Sequence, residues 1–417
     1  MAERANLLSV ETLVESPFII ATIGGVTFGS YTAESSGNNY GAAVKVTYPN
    51  FMKSLSVEKV NGTVNMYTIN FSYQVRAGED PNLLDKIFSR ATKDRQIMLE
   101  YGDWNAPNYI YKEESAIITN VSYSLNMGNS SIDYTVKCTS DAVGLTSIKY
   151  NFPARTAKPS DVLKQMLNNS RYGLKSVFSG MSNPNTVSMN NFIASNDKKI
   201  KLESQHMTPL AYMNYLVDSM VSTKNTTNSV KNKSVYYLTV HDDSSNSFGG
   251  TYFKVTEVTD KPKSFVATNT YVLDINYPST HNVVEFNINN DQSWSILYDY
   301  TESVKQEEYV YTIDDDGNIV SDYSPSLLRS KHTNQQSTAK TNWWAKMTQF
   351  PVEASVTIKG LMRPAILMSY VYVNVWFAGA QKHISSGLYI VTKQVDTIDT
   401  SGYKTTLTLL RVGGDEL

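Results

Sequence analysis

Alternating apolar and polar positions run through much of this 417-residue chain and are densest at its two ends. From Phe350 to Leu417 four stretches alternate in turn: Val352–Lys359, Tyr370–Phe377, Leu388–Val395 and Tyr403–Val412. A period of two sends successive side chains to opposite faces, so each stretch predicts a strand that buries one face and wets the other. Asp399-Thr400-Ser401-Gly402 closes the last pair as a hairpin with Gly402 available for positive φ. The first third carries the same kind of unit. Phe18–Ile23 and Val26–Gly29 flank Gly24-Gly25, and Leu55–Val60 and Thr63–Val75 flank Asn61-Gly62, two turn signatures of short hairpins. Arg95–Tyr101, Ala116–Leu125 and Ile132–Thr139 add three strands, the last two joined by a turn at Asn126–Ser130. One helix interrupts them: Asp80 is the N-cap, Pro81 sits in the first turn, and Leu83, Leu84, Ile87 and Phe88 recur at helical spacing through Ser89-Arg90.

The pattern changes near Pro153. Pro159, Ser160 and Asp161 open a helix with the apolar stripe Val162, Leu163, Met166 and Leu167. Thr208 caps a second helix with Pro209 in its first turn, and Leu210, Met213, Leu216, Val217 and Met220 share one face. Strands return at Val235–Val240, Tyr252–Val258, Tyr271–Ile275 and Val283–Ile288, and a hairpin joins Tyr309–Ile313 to Ile319–Tyr323 across Asp314–Asn318. Ser324–Lys340 is basic and polar without a period, which marks an exposed partner-binding arm or a disordered segment. Trp343 and Trp344 close it, either anchoring a neighbour or packing on their own unit. The expected fold is mainly β with an α+β middle. Residues 1–148 form a first antiparallel β-barrel with one short helix, and 149–282 an α+β subdomain. Residues 283–417 form a second barrel carrying the hairpin and arm at 305–345.

Bulk properties narrow the function. A chain of this length predicts about two to four domains, and a net charge of −2 argues against a dedicated nucleic-acid surface. Tyr outnumbers Phe by 28 to 14, which suits strands with wet outer ends and surfaces later covered by partners. Cys138, the single cysteine, excludes an intrachain disulfide; it shares a strand face with Tyr134 and Val136 and reads as a buried, inert thiol. Met1–Val14 lacks the pattern of a secretory signal, and the longest apolar runs, Phe18–Phe28 and Tyr370–Gly379, are too short for a spanning helix. These features place the protein in a reducing cytoplasm when made.

Candidate chemistry is sparse. His241-Asp242-Asp243, among serines, reads as a solvated turn rather than a metal site, which needs several converging ligands. Asp314-Asp315-Asp316-Gly317 lacks the spaced ligands of a calcium loop and reads as a hairpin turn. Glu113-Glu114 is the nearest carboxylate pair, but strand neighbours point to opposite faces. No nucleophile elbow, P-loop or zinc-protease spacing occurs. No catalytic, cofactor-binding or metal-ligating residue is expected, and the chain is not expected to be an enzyme.

The order of elements resembles a known family. Tyr48-Pro49-Asn50-Phe51 before Asn61-Gly62, then Gly78-Glu79-Asp80-Pro81-Asn82 opening the helix, is similar to the N-terminal region of tailed-bacteriophage tail hub proteins of the late-control-D kind. Thr208-Pro209-Leu210-Ala211-Tyr212 with Leu216-Val217-Asp218-Ser219-Met220 resembles their central helix, and Ser386-Gly387-Leu388-Tyr389-Ile390-Val391-Thr392 their closing strands. The likeness is greatest to hubs of crAss-like phages; 293–345 has no match in it. The resemblance implies two tube-type barrels per subunit in a trimeric ring. Such a ring joins the tail tube or nozzle to a central spike or cap, with viral DNA passing non-specifically through its lumen. It implies a virion tail component assembled in the bacterial host cytoplasm, without cofactor or membrane segment. Because the chain stops just after the last strand, piercing or wall-cleaving activity is expected on another polypeptide. Trp343, Trp344, Arg329, Lys331 and Lys340 are the candidate assembly-interface residues. The alternative is a receptor- or carbohydrate-binding module at the tail periphery, with Trp104, Trp343, Trp344 and Trp376 as stacking platforms.

Overall fold

The computed structural model describes residues 17–29, 48–49, 51–94, 96–103, 112–167, 199–220, 235–242, 252–258, 269–274, 283–290, 310–313, 319–322, 352–359, 367–377 and 381–414. The N-terminal unit holds β1 (Pro17–Ile23), β2 (Val26–Gly29), β3 (Tyr48–Pro49), β4 (Met52–Val60), β5 (Met66–Gln74), α1 (Leu83–Asp94), β6 (Gln96–Asp103), β7 (Lys112–Asn126) and β8 (Ser131–Thr139). The middle holds a 3-10 turn (Asp141–Thr146), β9 (Tyr150–Phe152), β10 (Arg155–Ala157), α2 (Pro159–Leu167), β11 (Ile200–Leu202), β12 (Gln205–Met207), α3 (Pro209–Asp218), β13 (Val235–His241) and β14 (Tyr252–Val258). Then come β15 (Asn269–Asp274), β16 (Val283–Asn290), β17 (Val310–Ile313), β18 (Ile319–Asp322), β19 (Val352–Ile358), β20 (Tyr370–Phe377), β21 (Gln381–Lys382), β22 (Gly387–Asp399) and β23 (Gly402–Gly414). The described residues are mostly strand.

Fifteen strands form one sheet. Its order is β16-β19-β23-β22-β4-β5-β8-β7-β6-β1-β2-β3, with β20 also on β22 and β15 and β21 on β20. Its ladders are antiparallel except at β2–β3 and β15–β20. The alternation expected from the sequence is the alternation observed: β4 buries Leu55 and Val57, β5 buries Tyr67, Ile69, Phe71 and Tyr73, and β8 buries Tyr134, Val136 and Cys138. Inside, Phe71, Phe88 and Tyr134 meet at ring-centroid distances of 5.4 Å, so α1 is clamped to the sheet by aromatic edges. Tyr134 adds a hydroxyl donated to Asp85 Oδ2 at 3.0 Å.

β22 and β23, 13 residues each, outrun the strands expected at Leu388–Val395 and Tyr403–Val412. Their near halves supply Tyr389, Val391, Leu407 and Leu409 to the C-terminal core. Their far ends supply Ile398 and Tyr403 to the N-terminal core. Between these, β22 pairs with β4 from Lys393↔Val60 to Ile398↔Leu55, which carries the sheet from one core to the other.

The middle unit has its own core, built on a repeat. Strand, turn, strand and helix occur twice, fifty positions apart, with Pro159 and Pro209 opening the two helices. Pairing crosses between the copies, β9 with β12 and β10 with β11. Phe152 stacks on Tyr212 at 3.8 Å and 7°. Thr208 caps α3 as expected, accepting from the Ala211 N–H at 3.4 Å.

Of the two expected glycine turns, one is as expected and one is not. Gly24 and Gly25 both take positive φ, as a tight hairpin requires. Asn61-Gly62 instead belongs to a longer connection, because β5 begins only at Met66. Its backbone is engaged elsewhere: the Gly62 N–H donates to the Leu238 carbonyl at 2.6 Å, and Asn214 Nδ2 donates to the Gly62 carbonyl at 2.7 Å. The turn is a plug into the middle unit.

Candidate functional site

The inward face of the N-terminal sheet is apolar except at one end. There Lys59 follows Leu55 and Val57 on β4, and Glu114 precedes Ala116 and Ile118 on β7, all six buried. Lys59 Nζ binds Glu114 Oε1, with the two side chains 1% and 0% exposed. The Tyr101 hydroxyl on β6 donates to the same oxygen at 3.1 Å. Desolvating two charges is costly unless the pair is closely matched and further hydrogen-bonded, as this one is.

Beside this pair lies a second carboxylate from the middle unit. Asp242, directly after β13, is fully buried. Its Oδ1 accepts from Ser140 Oγ at 2.6 Å, and its Oδ2 from Asn65 Nδ2 at 2.7 Å and the Tyr67 hydroxyl at 3.0 Å. Asn65 ties the junction further, since its carbonyl accepts from Ser140 N–H and Thr139 Oγ1, both at 3.0 Å. The expectation of a solvated His241-Asp242 turn is therefore overturned. His241 is the last residue of β13 and Asp242 is sealed by partners some 175 residues away in sequence.

A third carboxylate comes from the C-terminal hairpin. Asp396 accepts from Thr405 Oγ1 at 2.5 Å and from Gln394 Nε2 at 2.7 Å, all three residues buried. Tyr403 also bonds Asp396 and meets Tyr101 edge-on at 6.5 Å.

Electrostatics join the three clusters. Burial first, then the charges of Asp242 and Glu114, push the Tyr67 hydroxyl well above its ordinary range. Tyr101 is raised by burial and by Glu114 and Asp396, and Tyr403 by burial and Asp396. The three phenols stay protonated and act as donors. His241 is held down to about 3, by burial first and then by the charges of Lys59 and Lys254, with Glu114 opposing. Its Nε2 lies 2.8 Å from Thr239 Oγ1. Neutral donors facing carboxylates in a dry interior lock segments together. What is locked is the meeting point of N-terminal sheet, middle unit and C-terminal hairpin.

Trp343, Trp344, Arg329, Lys331 and Lys340 lie outside the described residues, as does Trp104. Trp376 is on β20, half-buried, with Lys382 Nζ 5.9 Å from its ring centre. Cys138 is buried as expected, and burial pushes its thiol up to about 12. Among the described residues no group of three His, Cys, Asp or Glu side chains is arranged to hold a metal ion, and no helix is long and apolar enough to cross a membrane.

No family model matches the chain, and no curated protein matches it. Solved structures do. A tail protein from Neisseria meningitidis is similar at 8% identity over 95% of this chain and 97% of that one, with a TM-score of 0.47. The 43 kDa tail protein of prophage MuSo2 from Shewanella oneidensis is similar at 10% identity, over 95% and 97% of the two chains, with a TM-score of 0.48. An E. coli component of the type VI secretion system is similar at 10% identity, over 87% and 75%, with a TM-score of 0.43.

Proposed function

We propose that this chain is a structural subunit of a phage tail. In this reading it is a hub, three copies of which form a ring that connects the tail tube or nozzle to the central spike or cap around the channel for DNA. One observation carries the reading: two strand-built cores are held in fixed relation by a single sheet through β22 and β4, with a buried carboxylate, Asp242, fixing the middle unit to the N-terminal one. A chain with two such cores lets three subunits present six units to a sixfold tube and threefold symmetry to a spike. The hub-like residues around Thr208–Tyr212 and Ser386–Thr392 support it, the first forming the cap and start of α3 and the second the first half of β22. The junction's role is mechanical, and its carboxylates are occupied in holding segments together.

The test is the mass of the purified chain in solution, together with electron microscopy of the particles. The expected result is three times the 46.6 kDa chain mass and annular particles. A monomer at every concentration overturns the proposal.

A further inference from the structure

Asn61-Gly62 is the single Asn-Gly pair in the sequence. Where asparagine precedes glycine, the glycine nitrogen can attack the asparagine carboxamide, because no Cβ obstructs the approach. The pair sits in the turn between β4 and β5, and both residues are only half-buried, so water reaches them. The attacking atom, however, is held away from the reaction. The Gly62 N–H donates to the Leu238 carbonyl on β13 at 2.6 Å, and Asn214 Nδ2 on α3 donates to the Gly62 carbonyl at 2.7 Å. From the other side, the Asn61 N–H donates to the Thr392 carbonyl on β22 at 3.1 Å. Gly62 itself is fixed at a φ of +74°. The nitrogen that would close the ring is thus engaged by the middle unit, and it is freed only when that unit draws back.

We propose that Asn61 is a spontaneous deamidation site gated by the seating of the middle unit. Once Gly62 leaves Leu238, its nitrogen gives up its proton to water or hydroxide and bonds to Asn61 Cγ. The bond from Cγ to Nδ2 breaks, that nitrogen departs as ammonia, and a succinimide ring remains. Water then opens the ring at either carbonyl, leaving aspartate or isoaspartate. Water is the only co-reactant. Both products place a carboxylate where a neutral amide stood. Isoaspartate also adds a backbone carbon between the Asn61 and Gly62 N–H groups, which seat on two different carbonyls. The lengthened turn no longer fits between Thr392 and Leu238, so the middle unit does not reseat as before. The plug is therefore a one-way latch that protects its own amide while docked and loses it when held open. It holds whether or not the chain forms a ring.

Timed incubation of the full-length chain at mildly alkaline pH, followed by peptide mass mapping, tests the latch. Asn129-Ser130, exposed in the turn between β7 and β8, serves as the internal reference. Asn61 is expected to convert about tenfold or more slowly in the native chain than in the same chain in urea, because reaction waits on a local opening. Asn214→Ala removes one hydrogen bond from the plug and should speed native conversion about three- to tenfold, with Asn129 unchanged. Chains carrying isoaspartate at position 61 should show lower hydrogen-exchange protection in α3 and β13 than unreacted chains from the same sample. Equal rates at Asn61 in the native and urea-unfolded chain would overturn the gate. A variant rate equal to the parent's, or a rise shared equally by Asn129, would remove the middle unit from it. Unchanged protection in the isoaspartate fraction would overturn the one-way release.

Discussion

At the scale of single residues, the buried junction makes the sharpest demands. Lys59 and Glu114 are sealed from water as a pair, so removing one partner strands the other's charge. Lys59→Met or Glu114→Gln alone is expected to cost about 3–5 kcal/mol in denaturant unfolding, and Lys59→Met with Glu114→Leu to regain most of it. Equal losses in the double and single variants would show that the pair is not what they share. His241 gives a pH signature. Its folded pKa near 3 lies below the ordinary value of 6.5, so the unfolded chain binds the extra proton between them. Stability from this group is complete above pH 6.5 and is lost towards pH 3, by about 1.4 kcal/mol per unit. Thermal melting from pH 7 to 4 should therefore fall less steeply for His241→Gln than for the parent; parallel slopes would refute the assignment. Gly62 faces two constraints at once, a φ of +74° and a Cβ position 2.9 Å from Asn214 Oδ1. Gly62→Ala is expected to destabilise by about 1–2 kcal/mol from the backbone alone, and unchanged unfolding would mean that the plug into the middle unit is dispensable.

At the scale of elements, legibility followed the range of the interactions that set each one. Strands with a long period of two, such as β5 and β8, and helices with local caps, such as α3 under Thr208, could be read because neighbours in sequence determine them. The three-residue strands β9 to β12 are too short to show a period, yet the fifty-residue recurrence of an X-Pro helix start at Lys158-Pro159 and Thr208-Pro209 was there to be found. Lys59 and Glu114 were legible in part, since their parity with Val57 and Ala116 places them inward. Asp242 was not, because the Asn65, Tyr67 and Ser140 that bury it lie in a different unit of the sequence. The turn at the far end of β22–β23 was legible, but where that end packs was not, for the same reason: its apolar residues serve a core that begins at β1. That service is measurable. Ile398→Ala should cost about 2–5 kcal/mol and lower hydrogen-exchange protection in β4, β5 and β8, whereas Leu409→Ala should loosen β19 and β20 first. The same protection map for both variants would contradict the division of the hairpin between cores.

For the whole molecule, the decisive property is how far the two strand cores unfold as one. Losing the C-terminal core withdraws β22 from its ladder on β4 and takes Ile398 and Tyr403 out of the N-terminal interior. The gap would open beside Lys59, Glu114 and Tyr101, whose pairing depends on a dry setting. Losing the N-terminal core strips Asp242 of Asn65 and Tyr67 and so unsettles the end of β13. The exposed Lys393–Glu58 bridge at 2.5 Å adds little to this coupling, being partly in water. The ladder and the shared apolar tip carry it. Calorimetry of the intact chain should accordingly give one dominant transition that includes both cores, with van't Hoff and calorimetric enthalpies close for that unit. Thr397→Pro places a residue without an N–H in a strand flanked by β4 and β23, where a ladder cannot accommodate it. The substitution should split the transition in two. Two transitions already present in the parent, unchanged by Thr397→Pro, would mean that the sheet passes between the cores without coupling their unfolding.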